Sequence, residues 1–173
     1  MIEEGALVGG VERREIAIAD YDPAWPARFE RERRAIEAAL GAQRAVAIEH
    51  VGSTAVPGLG AKPIVDVLVT VADPEESSLA DAMARAGYEL RVREPGHRMF
   101  RTPARDVHVH VLAATDAEVG RMLRFRDRLR ADDKDRAAYE ALKRSLAARE
   151  WRDMNEYAEA KGPLIEEIMA RAG

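Results

Sequence analysis

Apolar and polar positions along the chain change their rhythm near residue 115. Before that point, short apolar runs at period two alternate with two amphipathic stretches. After it, the spacing is helical to the end. "EIAIA" (15–19) alternates and predicts a short strand. "DPAWPARFERERRAIEAALG" predicts a helix with Asp22 as cap, prolines at its entrance, Gly41 at its exit, and Phe29, Ile36 and Leu40 on one face. "RAVAIEHV" (44–51) reads as a strand running into a glycine-serine turn. "KPIVDVLVTV" (62–71) is β-branched and almost continuously apolar, the signature of a central strand. "DPEESSLADAMARAG" predicts a second helix, with Asp73 as N-cap, Pro74 at its first position, Glu76 completing a capping box and Gly87 at its end. Three more strands are predicted over 88–92, 97–101 and 106–112. Three tail helices follow, marked by Val119, Met122, Leu123 and Leu129, then Tyr139, Leu142 and Leu146, then Leu164, Ile165 and Ile168. The expected class is α/β, in the α+β sense: a loose, flexible end over 1–12, a mixed-sheet core with flanking helices over 13–115, and C-terminal helices over 116–173 packed on that core.

Composition narrows the function classes. The chain has 173 residues and no cysteine, which removes disulfides, thiolate metal sites and thiol nucleophiles. Neither a basic-then-apolar leader nor an apolar run near the roughly 20 residues of a membrane helix is present, so the expectation is a cytoplasmic protein without membrane contact. A net charge of −4 argues against a general nucleic-acid coat, which needs a basic excess, and leaves room for a local basic pocket.

Within the core, a few residues carry candidate chemistry. Gly52 and Ser53 end a strand, where glycine permits close backbone approach and serine can bond a phosphate oxygen; alone, such a pair is more often a plain turn. Asp66 stands among Ile64, Val65, Val67, Leu68 and Val69, where an unpaired carboxylate is costly. It is either a strand-end acid held by an arginine, or a metal ligand or general base. "DVHVHVL" places Asp106, His108 and His110 on one strand face and Val107, Val109 and Val111 on the other. Two imidazoles and a carboxylate suit zinc or a similar transition ion, against the alternative of a solvated polar face. Lys62, Arg98 and Arg101 add positive charge nearby in sequence. Arg121, Arg124, Arg126, Arg128 and Arg130 spread around a helix, as on a solvated surface paired with Asp127, Asp132 and Asp133.

Taken together, "YDPAWPARFERE", "IEHVGSTAVPGLGAKPIVDVLV", "HVHV", "LRFRDRLR", "YEALK" and "YAEAKGPLI" resemble the GrpB family over nearly the whole chain after about residue 16. The resemblance implies a nucleotidyltransferase-like fold, in which a Gly-Ser turn holds nucleotide phosphates. Paired acids on one strand and a third on its neighbour then hold two magnesium ions. Gly52 and Ser53 match the turn, and Asp66 matches one acid. Ile64 and Leu68 stand where its partner would be, and His108 or His110 (with Asp106 as a substitute) takes the neighbouring-strand position. The resemblance thus assigns Asp66, His108 and His110 to catalysis, and those three with Glu49 to a divalent metal (Mg, Mn or Zn). It assigns Gly52, Ser53, Lys62 and Arg98 to phosphate, while Lys143, Tyr157 and Lys161 could close over the ligand. Fusion to dephospho-coenzyme A kinase in some family members adds a possible partner and a nucleotide or coenzyme-A context. Two other readings stand beside it. One is an inactive nucleotide-binding or folding-assistance module; the other is a histidine-triad-type phosphoramidate hydrolase with Asp106 in place of its first histidine.

Overall fold

A computed structural model describes residues 6–10, 12, 15–41, 44–151 and 154–173. Its elements run α1 (Trp25–Leu40), β1 (Ala45–Val51), a 3-10 turn (Ser53–Ala55), β2 (Val65–Val71), α2 (Ser77–Arg85), β3 (Glu89–Glu94), β4 (His97–Arg101), β5 (Val107–Ala113), α3 (Ala117–Ala131), α4 (Asp133–Ala147), α5 (Met154–Ala160) and α6 (Gly162–Ala172). The five strands form one sheet in the order β1-β2-β5-β4-β3. Only β2 and β5 pair in parallel; the other neighbours are antiparallel. This is the expected α/β architecture of a mixed sheet, flanking helices and C-terminal helices, with four tail helices, α3 to α6, among the described residues where three are expected.

Burial on both faces accounts for the continuous apolar reading of β2. Val65, Val67, Val69 and Val71 join Val107, Val109, Val111 and Phe100 under α1 and α2, against Phe29, Ile36, Leu40, Leu79 and Met83. On the opposite face, Val51, Leu68 and Leu112 are covered by Val119, Met122 and Leu123 of α3. A separate cluster of Val56, Leu59, Leu129, Tyr139 and Ile168 ties the segment after the 3-10 turn to the helical tail. The tail therefore covers one end of the second face, and the part bearing Asp66 and the two β5 histidines opens on a cavity instead.

Several local expectations change. Asp22 does not cap α1: it accepts from the Ala24 N–H at 2.8 Å, and Ala24 holds the cap position. "EIAIA" forms no strand: Ala19 and Ala61 exchange one pair of backbone hydrogen bonds of 2.9 Å each, an isolated bridge. Extending that pairing would set residue 17 against Pro63, which has no N–H to give. Asp73 does not cap α2. It accepts from the Glu75 N–H at 2.8 Å in the preceding turn, and the helix begins at Ser77 with Glu76 in the cap position. The arginines of α3 are not simply a solvated face. Arg126 is 11% exposed and reaches Glu49 at 2.7 Å and the His50 carbonyl at 3.1 Å, while Arg130 donates to the Ala55 carbonyl at 2.9 Å. Arg128 does pair with Asp132, at 2.8 Å. Residues 1–5 and 11 of the loose end expected over 1–12 lie outside the described residues; within it, Leu7 bridges Val92 and the Val8 N–H donates to the Arg91 carbonyl at 2.8 Å.

His50 points into the α1-side core. Its ring stacks on Phe29 with centroids 4.9 Å apart, and its Nε2 lies 3.0 Å from Thr54 Oγ1. Burial, helped by Arg130 and Arg126 against the attraction of Asp66, pushes it down to about 4. Because the folded value lies below the unfolded one near 6.5, the unfolded chain takes up the proton first. Stability is thus lost as pH falls from about 6.5 towards 4, by roughly 2 kcal/mol at pH 5. Urea midpoints at pH 7.5 and 5.0 should show this loss, and His50→Gln should shrink it.

Candidate functional site

The parallel register of β2 and β5 sets Asp66 beside His108 and Leu68 beside His110, so the acid and both imidazoles share one face. His110 Nε2 lies 3.2 Å from Asp66 Oδ1, and His108 Nδ1 lies 3.8 Å from the same oxygen. One ligand atom from each of the three residues falls within 4.8 Å of the others. Ligands about 2.0–2.2 Å from a shared ion stand about 3–4 Å apart, so this donor set fits a borderline or transition ion with coordination positions left open.

The electrostatics of the cluster suit that role. Burial pushes Asp66 up, but the His110 hydrogen bond, the two neighbouring imidazoles and Lys62 outweigh it and hold the carboxyl below its usual range. Burial, partly opposed by Asp66, pushes His108 down to about 4, so its ring is neutral at pH 7 and keeps a lone pair for a ligand. His97, which the sequence reading left unused, stacks on His110 at 5.8 Å and meets Glu94 Oε2 at 2.9 Å through Nδ1.

Gly52 is required by the acid. Its backbone (φ 72°, ψ −174°) lies in a region essentially reserved for glycine, and a Cβ there would stand 2.6 Å from Asp66 Oδ2. Ser53, the next residue, opens the 3-10 turn and lines a cavity of about 330 Å³ together with Lys62, Asp66, His108, His110, Lys143, Tyr157 and Lys161. Lys62 and Lys161 place their ammonium groups 5.1 and 4.7 Å from the Tyr157 ring centroid. Lys143 donates to the Gly60 carbonyl at 2.6 Å and stands 5.1 Å from the Tyr139 centroid. Burial and the neighbouring Lys161 charge push Lys143 down to about 7, and burial with the Lys62 charge pushes Lys161 down to about 8. Ammonium groups gathered this closely in a part-buried cavity are stabilised when an anion joins them.

The structure thus gathers Ser53, Lys62, Asp66, His108 and His110 in one cavity, with Gly52 against Asp66. It does not bring in three others. Glu49 shares the Asp66 face, but its carboxylate is taken by Arg126 at 2.7 Å. Arg98 pairs with Val111 in the β4–β5 register, which turns it to the opposite face, where it meets Glu75 at 3.2 Å and the His97 carbonyl at 3.0 Å. Asp106 lies before β5 begins and is taken by Arg28 at 3.0 Å and the Thr102 hydroxyl at 2.6 Å. Period two describes a residue only while its strand continues, and Asp106 falls just outside.

The GrpB protein family model matches residues 15–171. The chain belongs to the GrpB family. Among its relatives, a UPF0157 protein of Streptomyces coelicolor is 55% identical over 168 residues, covering 96% of this chain and 89% of that one. The crystal structure of the conserved protein GrpB from Enterococcus faecalis superposes with a TM-score of 0.79 at 34% identity, over 90% of this chain and 96% of that chain. A dephospho-CoA kinase of Mycolicibacterium paratuberculosis is 29% identical over 94% of this GrpB chain and 47% of its own length.

Gly52→Ala should cost at least 1 kcal/mol or so of unfolding free energy, from its backbone conformation and the clash with Asp66. In a double-mutant cycle measured by urea denaturation, Gly52→Ala combined with Asp66→Ala should cost less than the sum of the two single changes.

Proposed function

We propose that this GrpB protein binds a nucleotide or another phosphorylated small molecule together with a divalent metal. The observation carrying the reading is the convergence of Lys62, Lys143 and Lys161 on a cavity that also holds Asp66, His108 and His110. Lysine ammonium groups act as point charges for phosphate, and Ser53 at the start of its turn adds a hydroxyl. Asp66, held ionised, and the neutral His108 are the ligand forms a cation needs. A bound divalent ion would neutralise phosphate charge and polarise a phosphoryl oxygen. The imidazole share of the ligand set favours zinc or manganese over magnesium.

Nucleotidyl transfer is the reaction class implied by the family resemblance. The similarity to part of a dephospho-CoA kinase supports a nucleotide- or coenzyme-related ligand and leaves that kinase as a possible partner. A small phosphorylated ligand also accords with a cytoplasmic protein; no helix among the described residues is long and apolar enough to cross a membrane. An inactive binding module is the second reading. It is favoured by Ile64 and Leu68, which stand two residues either side of Asp66 and leave one carboxylate in the cluster.

Titration of metal-free protein with zinc or manganese should show one ion per chain, and Asp66→Asn should weaken it about tenfold or more. ATP binding, followed calorimetrically with the metal present, should fall roughly tenfold or more in Lys143→Met, the loss of one charge-assisted contact. It should also weaken as pH rises from 7 to 9, because Lys143 and Lys161 lose their protons there in the free protein. ATP affinity that ignores Lys143→Met and Lys161→Met would refute the site. Pyrophosphate release across a nucleotide panel separates transfer from inert binding.

A further inference from the structure

A second cavity, of about 250 Å³, lies on the far side of the two β5 histidines. It shares Lys62, Ile64, His108, His110 and Ala158 with the lysine-lined cavity, but its remaining walls differ. Leu7, Val92, Met99 and Met154 make it largely apolar, and Arg91 and Arg101 supply its charge. Its size is slightly below the roughly 300 Å³ at which ordinary ligand pockets begin, which suits a small molecule.

A carboxylate already sits in it. Arg101 donates Nη1 to Glu12 Oε2 at 3.0 Å and Nη2 to Glu12 Oε1 at 2.9 Å, the two-pronged geometry that matches a planar carboxylate. Arg105 approaches the same Oε1 at 3.4 Å, and Arg91 adds its charge to the pull on Glu12. The Arg101 hydrogen bond, against the opposing effect of burial, takes Glu12 down to about 2. The positive charge exceeds what Glu12 neutralises. Arg91 donates to the Val8 carbonyl at 2.7 Å, a neutral acceptor. The buried Arg101 Nε has no hydrogen-bond partner among the described residues, its nearest carboxylate being Glu89 at 4.0 Å. Glu12 belongs to a segment attached at the sheet edge by the Leu7–Val92 bridge and two hydrogen bonds between Val8 and Arg91. Glu12 itself is held in the fork through its side chain, the contact that a competing carboxylate would replace.

We propose that this cavity is a second ligand site, for a small carboxylic acid with an apolar body, in which Glu12 is the chain's own occupant of the Arg101 fork until the acid displaces it. The apolar body rests on Met99, Met154 and Val92, and the carboxylate takes the two prongs of Arg101 that Glu12 now fills. The acid would then lie across the His108–His110 wall from the phosphorylated ligand. The site rests on the phosphate reading only for what lies beyond that wall.

Hexanoate is a suitable probe, with the methyl resonances of Met99 and Met154 as the readout. Glu12→Ala should bind hexanoate about tenfold or more tightly than the unaltered protein, because an intramolecular competitor is removed. Glu12→Gln, which removes the charge while keeping the side chain's shape, should shift affinity in the same direction and stands in if Glu12→Ala does not fold. Adding Arg101→Gln should abolish binding, and hexanol should leave both methyls unmoved. Equal hexanoate affinity with and without Glu12, or equal shifts with hexanol, would overturn the site; displacement of hexanoate by an equal concentration of inorganic phosphate would overturn the carboxylate class. ATP and metal binding should be unchanged in Glu12→Ala. Hexanoate binding without ATP binding would therefore sink the phosphate reading and leave this one standing.

Discussion

The parallel pairing of β2 with β5 is the constraint on which the rest depends. It alone sets Asp66 beside His108, and it makes both strands central, so their outer partners β1 and β4 run antiparallel to them. With valines from both strands committed to the core beneath α1 and α2, the polar residues of each are forced onto the other face. A slip of one residue would carry Asp66 and the histidines into the valine core. The apolar core thus holds the polar cluster in register as firmly as it holds itself.

Closure of the second face divides it by chemistry. Where Val51, Leu68 and Leu112 face outwards, α3 lies flush on apolar surface. Where Asp66, His108 and His110 face outwards, close apolar cover would strand a carboxylate, and the chain instead brings lysines and a tyrosine from the tail to line a cavity. Arg126 and Arg130 fasten α3 to the end of β1 and to the 3-10 turn through Glu49 and two backbone carbonyls. The arginines that look like surface charge in sequence are therefore partly struts. Glu49 is spent on one of them and stays out of the Asp66–His108–His110 cluster.

Much of this was legible in the sequence because periodicity reports burial. The β2 run, the β5 alternation and the tail's change of rhythm each gave the right element. The Asp66–His108–His110 cluster followed from placing those two strands side by side. Periodicity is silent about what ends an element and about which strand faces which. Asp106 has the right spacing but precedes the first paired residue, and "EIAIA" has the right alternation but meets Pro63 where the next bond should form. Three residues apart on one strand, Arg98 and Arg101 must point to opposite faces, but only the β4–β5 register shows that Arg101 is the one on the histidine side. The Glu12–Arg101 contact spans 89 residues and involves a segment with no periodic signal at all. No local pattern announces it.

The crossover between β2 and β5 has a further consequence. Asp66 and its two imidazole neighbours come from strands separated by a helix and an antiparallel hairpin, and nothing shorter than the near-complete sheet brings them together. A cation cannot gather these ligands in a partly formed chain, as it does in domains whose ligands are close in sequence. Any ion taken by these three residues would therefore arrive after folding rather than act as its template. Their arrangement is a product of the sheet, and its shape would follow the pairing of the strands rather than the supply of an ion.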